Sequence, residues 1–162
     1  MRILFFLIIL ITSGTSFGQS STIPSTKIVT LEGVQFDTKS IDNGAKPTVI
    51  IFWATWCKSS KSLLNNIADE YEDWQDDTGV KIIAISHDDQ RSQAKVKPTV
   101  NASGWEYEIY LDKNSDFYRA MGVQNCPHVF LLNAEGSIVF QESGYLPGNE
   151  DILLEKIEEL VK

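Results

Sequence analysis

Cysteine and histidine are nearly absent: Cys57 and Cys126 are the only thiols, His87 and His128 the only imidazoles. A structural zinc site needs four such ligands at close spacing, so a zinc finger is excluded. Basic charge is also short, with 14 Lys and Arg against 22 Asp and Glu and a net charge of −8. A phosphate-backbone binder carries a basic footprint; no Lys/Arg cluster of that kind is present, which excludes nucleic acid as a partner. No repeat, low-complexity tract, phosphate-cradling Gly-rich loop, Ser-His-Asp order or carboxylate pair stands out. What remains is an acidic chain of 162 residues, 43% of them hydrophobic, enough for one buried core. Two thiols are left to explain.

Long hydrophobic runs are missing as well. Met1-Arg2 leads into one apolar run, Ile3 to Ile11, followed by small and polar residues through Gln19. One positive charge, a short apolar stretch, and Ser16 and Gly18 before Gln19 read as a secretory signal peptide spanning residues 1–18. At ~1.5 Å per residue such a run covers less than half of a ~30 Å hydrocarbon core, so it is too short for a permanent span. No cysteine near the cut offers a site for a lipoprotein lipid. The expectation is a polar leader over 19–26 and one domain over 27–162, periplasmic or secreted and not membrane-spanning after cleavage. Export places both thiols where oxidation is the default.

Along the mature chain, Lys27 to Leu31 and Val34 to Phe36 flank Glu32-Gly33 as a β-hairpin. Thr48 to Trp53 (TVIIFW) is a buried, β-branched strand. From Ser59, Leu63, Leu64, Ile67, Ala68, Tyr71 and Trp74 make one helical stripe that Gly79 ends. Val80 to Ser86 is a second buried strand, and Arg91 to Val100 is helical with a break at Pro98. Tyr107 to Leu111 is a strand, Phe117 to Met121 a short helix, and Val129 to Leu132 and Ile138 to Phe140 a second hairpin. A last helix opens at Gly148-Asn149 with Asn149 as N-cap. This order predicts an α/β sandwich, a central mixed sheet with helices on both faces.

The chemistry concentrates at Phe52-Trp53-Ala54-Thr55-Trp56-Cys57-Lys58-Ser59-Ser60. A buried strand runs into a tight connection and Cys57 falls where a helix begins. Unsatisfied N–H groups and the positive helix end then favour thiolate, and Lys58 pushes the same way. About 2 kcal/mol from a helix terminus lowers a thiol pKa from ~8.5 to ~7. A thiolate at neutral pH attacks disulfides.

FWATWC, followed 69 positions after its cysteine by Cys126-Pro127-His128-Val129-Phe130-Leu131-Leu132-Asn133, resembles the thioredoxin superfamily, most of all its exported TlpA-like thiol–disulfide oxidoreductases. The likeness runs from about Ile28 to Lys162 and takes in VKIIAIS, Asp112 and Gly136. It implies a thioredoxin-like fold with an N-terminal β-hairpin and no cofactor. It implies a site in which Trp53 and Trp56 frame the reactive Cys57, and Pro127 is a cis-proline that aligns a substrate chain. The implied partners are protein thiols or disulfides and an electron donor that the sequence does not name.

Two departures from that pattern matter. The family motif is Trp-Cys-x-x-Cys, and its second cysteine, which resolves the mixed disulfide, is Ser60 here. Ser60 cannot form a disulfide; it is left to donate a hydrogen bond to the Cys57 sulfur. Ile51 stands where thioredoxins proper carry a buried aspartate serving that second cysteine. The other departure is Cys126, directly before the proline, where the family has a small or β-branched residue that lies against the nucleophile.

Cys126 is therefore expected to act as the resolving thiol, provided the Cα atoms approach within about 4.4–6.8 Å. A permanent staple is the alternative, since closing a loop of about 70 residues is worth roughly 4 kcal/mol. A third reading gathers Cys57, Cys126 and His128 as a soft Cu(I) set, although a strand starting at His128 turns that side chain away. Asp69, Glu70, Glu72, Asp73, Asp76 and Asp77 read as a solvated helix face, His87-Asp88-Asp89 as a surface turn, and Trp74 and Trp105 as packing.

Overall fold

The computed structural model describes residues 22–162. The reading of residues 1–18 as a signal peptide lies outside them. The elements are β1 (Lys27–Thr30), β2 (Gln35–Asp37), β3 (Thr48–Trp53), α1 (Lys58–Ala68), α2 (Tyr71–Thr78), β4 (Lys81–Ser86), α3 (Val96–Ser103), β5 (Glu108–Leu111), α4 (Asp116–Ala120), β6 (His128–Leu132), β7 (Ile138–Ser143) and α5 (Asn149–Glu159). The strands form one seven-stranded sheet in the order β2-β1-β5-β4-β3-β6-β7. β4 pairs parallel with β3 and β5, and the remaining pairs are antiparallel, so the sheet is mixed.

β3 lies between β4 and β6 and is buried at all six positions, which is why TVIIFW carries no polar alternation. Its side chains alternate between two cores. Val49, Ile51 and Trp53 pack against Leu63, Leu64 and Ile67 of α1, Trp74 of α2, Val96 and Val100 of α3, and Leu153 and Ile157 of α5. Ile50 and Phe52 face the other way, with Ile83, Ile85 and Phe117 of α4. Each of these fully buried apolar side chains is worth about 1.5–3 kcal/mol relative to exposure. The thioredoxin-like α/β arrangement with helices on both faces and an N-terminal β1–β2 hairpin is the one the sequence implies.

Three local details differ from the sequence reading. The stripe from Leu63 to Trp74 belongs to two helices, because α1 closes at Asp69 and Glu70 leaves helical geometry at φ −124 and ψ 4. Tyr71 and Trp74 nevertheless stay buried, so the stripe continues across a break that its periodicity does not mark. Pro98 does not break a helix: α3 starts at Val96, which puts the proline in the first turn, where its missing N–H has no intrahelical partner to lose. Asn149 is the first residue of α5 rather than its N-cap; Gly148 holds that place, and the Asn149 side chain accepts the Leu146 N–H at 2.6 Å. Gly79 does end α2, in the left-handed region at φ 68, with its N–H on the Gln75 carbonyl at 2.8 Å.

Candidate active site at the start of helix α1

The buried β3 delivers the chain to a tight turn closed by the Cys57 N–H on the Ala54 carbonyl at 3.0 Å. Cys57 is the N-cap residue of α1, so its side chain stands at the end where backbone N–H groups are unpaired. Only 7% of it is exposed. Across from it the Cys126–Pro127 peptide bond is cis, and the Gly144 N–H donates to the Pro127 carbonyl at 2.8 Å, tying that loop to the end of β7. The Cys57 thiol donates to the Cys126 carbonyl at 3.1 Å, and the Ser59 hydroxyl lies 3.5 Å from the same sulfur. Both cysteines are free thiols in this structure.

The two thiols are unlike one another. Burial works against ionising Cys57, yet hydrogen bonds from the Cys126 thiol, the Ser59 hydroxyl, and the Ser60 hydroxyl and N–H outweigh it and hold its pKa below the ordinary thiol value. Burial pushes the Cys126 thiol up, and its hydrogen bond to Cys57, the Cys57 charge and the Asp88 charge add to this. Cys57 is thus the thiol favoured to ionise, and Cys126 the one favoured to keep its proton.

Ser60 is fully buried, and its hydroxyl, one of the groups that lower the Cys57 pKa, donates to the Cys57 carbonyl at 2.9 Å. Lys58, the first residue of α1, is exposed, and the groups that stabilise the thiolate are Cys126, Ser59 and Ser60. Trp53 does not frame the cysteine at the surface. It is 0% exposed and packs edge-on against Trp105 at 4.9 Å, because it is the last inward residue of a fully buried strand. Trp56, next to Cys57 in the chain, is 64% exposed. Along the first turns of α1 an open groove of about 640 Å³ is lined by Lys58, Ser59, Ser62, Asn66, Tyr145 and Pro147.

His128 pairs with Phe52 across β3 and β6 and stacks on Phe130 at 4.6 Å, on the sheet face opposite α1. The Cys57, Cys126 and His128 set is not assembled, and among the described residues no group of three His, Cys, Asp or Glu side chains is placed to hold a metal. Trp74 and Trp105 are core, and the acidic run of α2 is exposed, as read from the sequence.

The His87-Asp88-Asp89 segment is not a surface turn. Asp88 is 1% exposed and accepts the Thr55 N–H at 2.8 Å and the Thr55 hydroxyl at 2.6 Å. His87 stacks on Tyr118 at 4.4 Å and meets Trp56 edge-on at 5.3 Å, which extends an aromatic wall from the exposed tryptophan. The signal for Asp88 lay in two hydroxyls, Thr55 and Ser86, at the ends of two adjoining buried strands, where they require a buried acceptor. Asp112, also buried, accepts the N–H groups of Asp116 at 2.9 Å and Tyr118 at 2.8 Å and so caps α4.

Comparison with known proteins agrees with this geometry. The chain is 29% identical over 121 residues to the thiol-disulfide oxidoreductase ResA of Bacillus thuringiensis (strain Al Hakam), covering 75% of this chain and 67% of that protein. It is 28% identical over 146 residues to the thiol:disulfide interchange protein DsbE of Yersinia pestis, covering 86% and 71%. Among solved structures, an uncharacterized thioredoxin-like protein from Porphyromonas gingivalis is 43% identical, with a TM-score of 0.77 over 86% of this chain and 91% of its own. Residues 20–141 match the AhpC/TSA family, and with that match over most of its length the chain belongs to this thioredoxin-like family, with thiol–disulfide oxidoreductases among its relatives.

Proposed function

We propose that the protein exchanges disulfides with protein substrates outside the cytoplasm, with Cys57 as nucleophile and Cys126 as resolving thiol. The observation that carries the reading is the 3.1 Å contact between the Cys57 sulfur and the Cys126 carbonyl, which brings the residue bearing the second free thiol against the first. The Cys57 thiolate attacks one sulfur of a substrate disulfide, forming a mixed disulfide and releasing one substrate thiolate. Cys126 then loses its proton and attacks the Cys57 sulfur. An intramolecular Cys57–Cys126 disulfide forms and the second substrate thiolate leaves.

The substrate gains two electrons and the two protons that Cys57 and Cys126 give up, and a dithiol reductant returns the protein to its starting state. Trp56, Lys58 and Pro127 supply the surface against which the substrate lies. Ser60, which cannot resolve, supports the thiolate. The apolar run at Ile3 to Ile11 supports an exported location, and among the described residues no helix is long and apolar enough to cross a membrane.

The test is mass mapping of the air-oxidised protein together with a disulfide-reduction assay. An intramolecular Cys57–Cys126 linkage, reduction lost in Cys57→Ser, and a trapped mixed disulfide in Cys126→Ser are the expected results. Two free thiols after oxidation, or full multiple-turnover activity in Cys126→Ser, would remove Cys126 from the cycle. A linkage that forms but exchanges with no disulfide substrate makes it the structural staple.

A further inference from the structure

We propose that Asp88 is a positioning residue of the thiol pair, its buried carboxylate clamping the turn that presents Cys57 to Cys126. Asp88 is 1% exposed. A buried carboxylate survives only if its oxygens are satisfied, and here every side-chain contact is one it accepts. The Thr55 N–H reaches Oδ2 at 2.8 Å, the Thr55 hydroxyl reaches Oδ1 at 2.6 Å, and the Ser86 hydroxyl reaches Oδ2 at 2.9 Å. The Ser86 oxygen in turn accepts the Asp88 N–H at 3.2 Å, which fixes the carboxylate to the end of β4. Thr55 stands two residues before Cys57, in the turn whose last bond is Cys57 N–H to Ala54 carbonyl at 3.0 Å. One side chain therefore holds the connection from β3 to α1 against the neighbouring strand, with no contact of its own to the Cys57 sulfur.

Its charge has a second consequence. Asp88 is among the groups that keep the Cys126 thiol protonated, so the clamp also helps keep the two sulfurs unlike. Charge-assisted hydrogen bonds of this kind are roughly twice as strong as neutral ones, which is why a carboxylate suits the position better than an amide. Asparagine offers one acceptor oxygen and turns its NH₂ toward donors that are already present.

The inference rests on the exchange reading above for its purpose, but its test reads the chemistry of each thiol and no turnover. The two therefore fail separately. The reduced full-length protein, Asp88→Asn and Thr55→Val are alkylated with iodoacetamide across a range of pH, and each cysteine is followed by peptide mass spectrometry. In Asp88→Asn, Cys57 is expected to react roughly three- to tenfold more slowly at neutral pH as its turn loosens, the span of one lost hydrogen bond. Cys126 is expected to react faster, with its pH profile displaced downward. A residue that only stabilised the fold would speed both thiols together. Thr55→Val keeps the carboxylate and removes one leg of the clamp, and there Cys57 slows while the Cys126 profile stays put. Unchanged profiles in Asp88→Asn, or acceleration of both cysteines, overturn the proposal. If Asp88→Asn does not fold, an unchanged Cys57 rate in Thr55→Val does the same.

Discussion

Ser60→Ala isolates what the serine does in place of the second cysteine. Ser60 is completely buried, and its hydroxyl donates to the Cys57 carbonyl at 2.9 Å. That carbonyl also accepts the Lys61 N–H at 3.3 Å, so the alanine variant leaves no acceptor orphaned. The stability lost is then that of one ordinary hydrogen bond, about 0.5–1.5 kcal/mol. The larger effect falls on the thiol. The Ser60 hydroxyl is one of the groups that hold the Cys57 pKa below its ordinary value, and a hydrogen bond to a charged group is worth about 1.5 kcal/mol. Its loss raises the Cys57 pKa and lowers the thiolate fraction at pH values below the pKa, by about tenfold at most for one charged hydrogen bond. Thiolate absorbance near 240 nm, followed against pH, gives the midpoint directly, and the iodoacetamide rate at mildly acidic pH checks it. A midpoint unchanged or lower in Ser60→Ala would refute the assignment of Ser60 as a thiolate support and leave it as a helix-turn hydroxyl.

Cys126→Ala removes the first of the groups that hold the Cys57 pKa down, so the same absorbance titration should show its midpoint rise. Trp53→Ala, in a wholly buried strand position, should cost about 3–5 kcal/mol in urea unfolding, whereas Trp56→Ala, with the native side chain 64% exposed, should cost under about 1 kcal/mol and lower only the rate with protein disulfides. Burial holds the His87 pKa below its ordinary value, against the pull of Asp88 and Asp112. A lowered histidine contributes stability that is complete above the unfolded pKa of about 6.5 and is lost as pH falls through the folded value. His87→Phe keeps a ring between Trp56 and Tyr118 and should flatten the loss of stability below about pH 6.5; parallel urea midpoints in variant and parent across that range would contradict it.

The sheet and its helices were legible because β3, β4 and β6 are apolar but for residues at their ends and α1, α2 and α5 carry helical stripes, signals that depend on burial alone. The thiols were legible because a cysteine between a buried strand and a helix start is a local arrangement, and Pro127 beside Cys126 completed the resemblance. What escaped depends on pairs distant in sequence. Thr55 and Asp88 are 33 residues apart, and Ser86, the one partner near in sequence, does not by itself tell Asp88 from its exposed neighbour Asp89. Trp53 and Trp56 look equivalent in FWATWC, but strand alternation buries one and the turn exposes the other. The break between α1 and α2 left no trace because the apolar residues on either side keep their spacing.

Cys126 offers one sulfur two different hands. Its carbonyl takes the proton of Cys57 while that group is a thiol, and its own S–H supports Cys57 once it is charged, so the loop answers both states. The arrangement is also a timer. While Cys57 is charged, that charge and the hydrogen bond to it hold the proton on Cys126, and the two sulfurs do not ionise together. A mixed disulfide erases the charge, and of the causes that raise Cys126 only its burial and the Asp88 charge persist. In the cycle proposed above, the second thiol is armed by the bond it is to break, so resolution waits for capture.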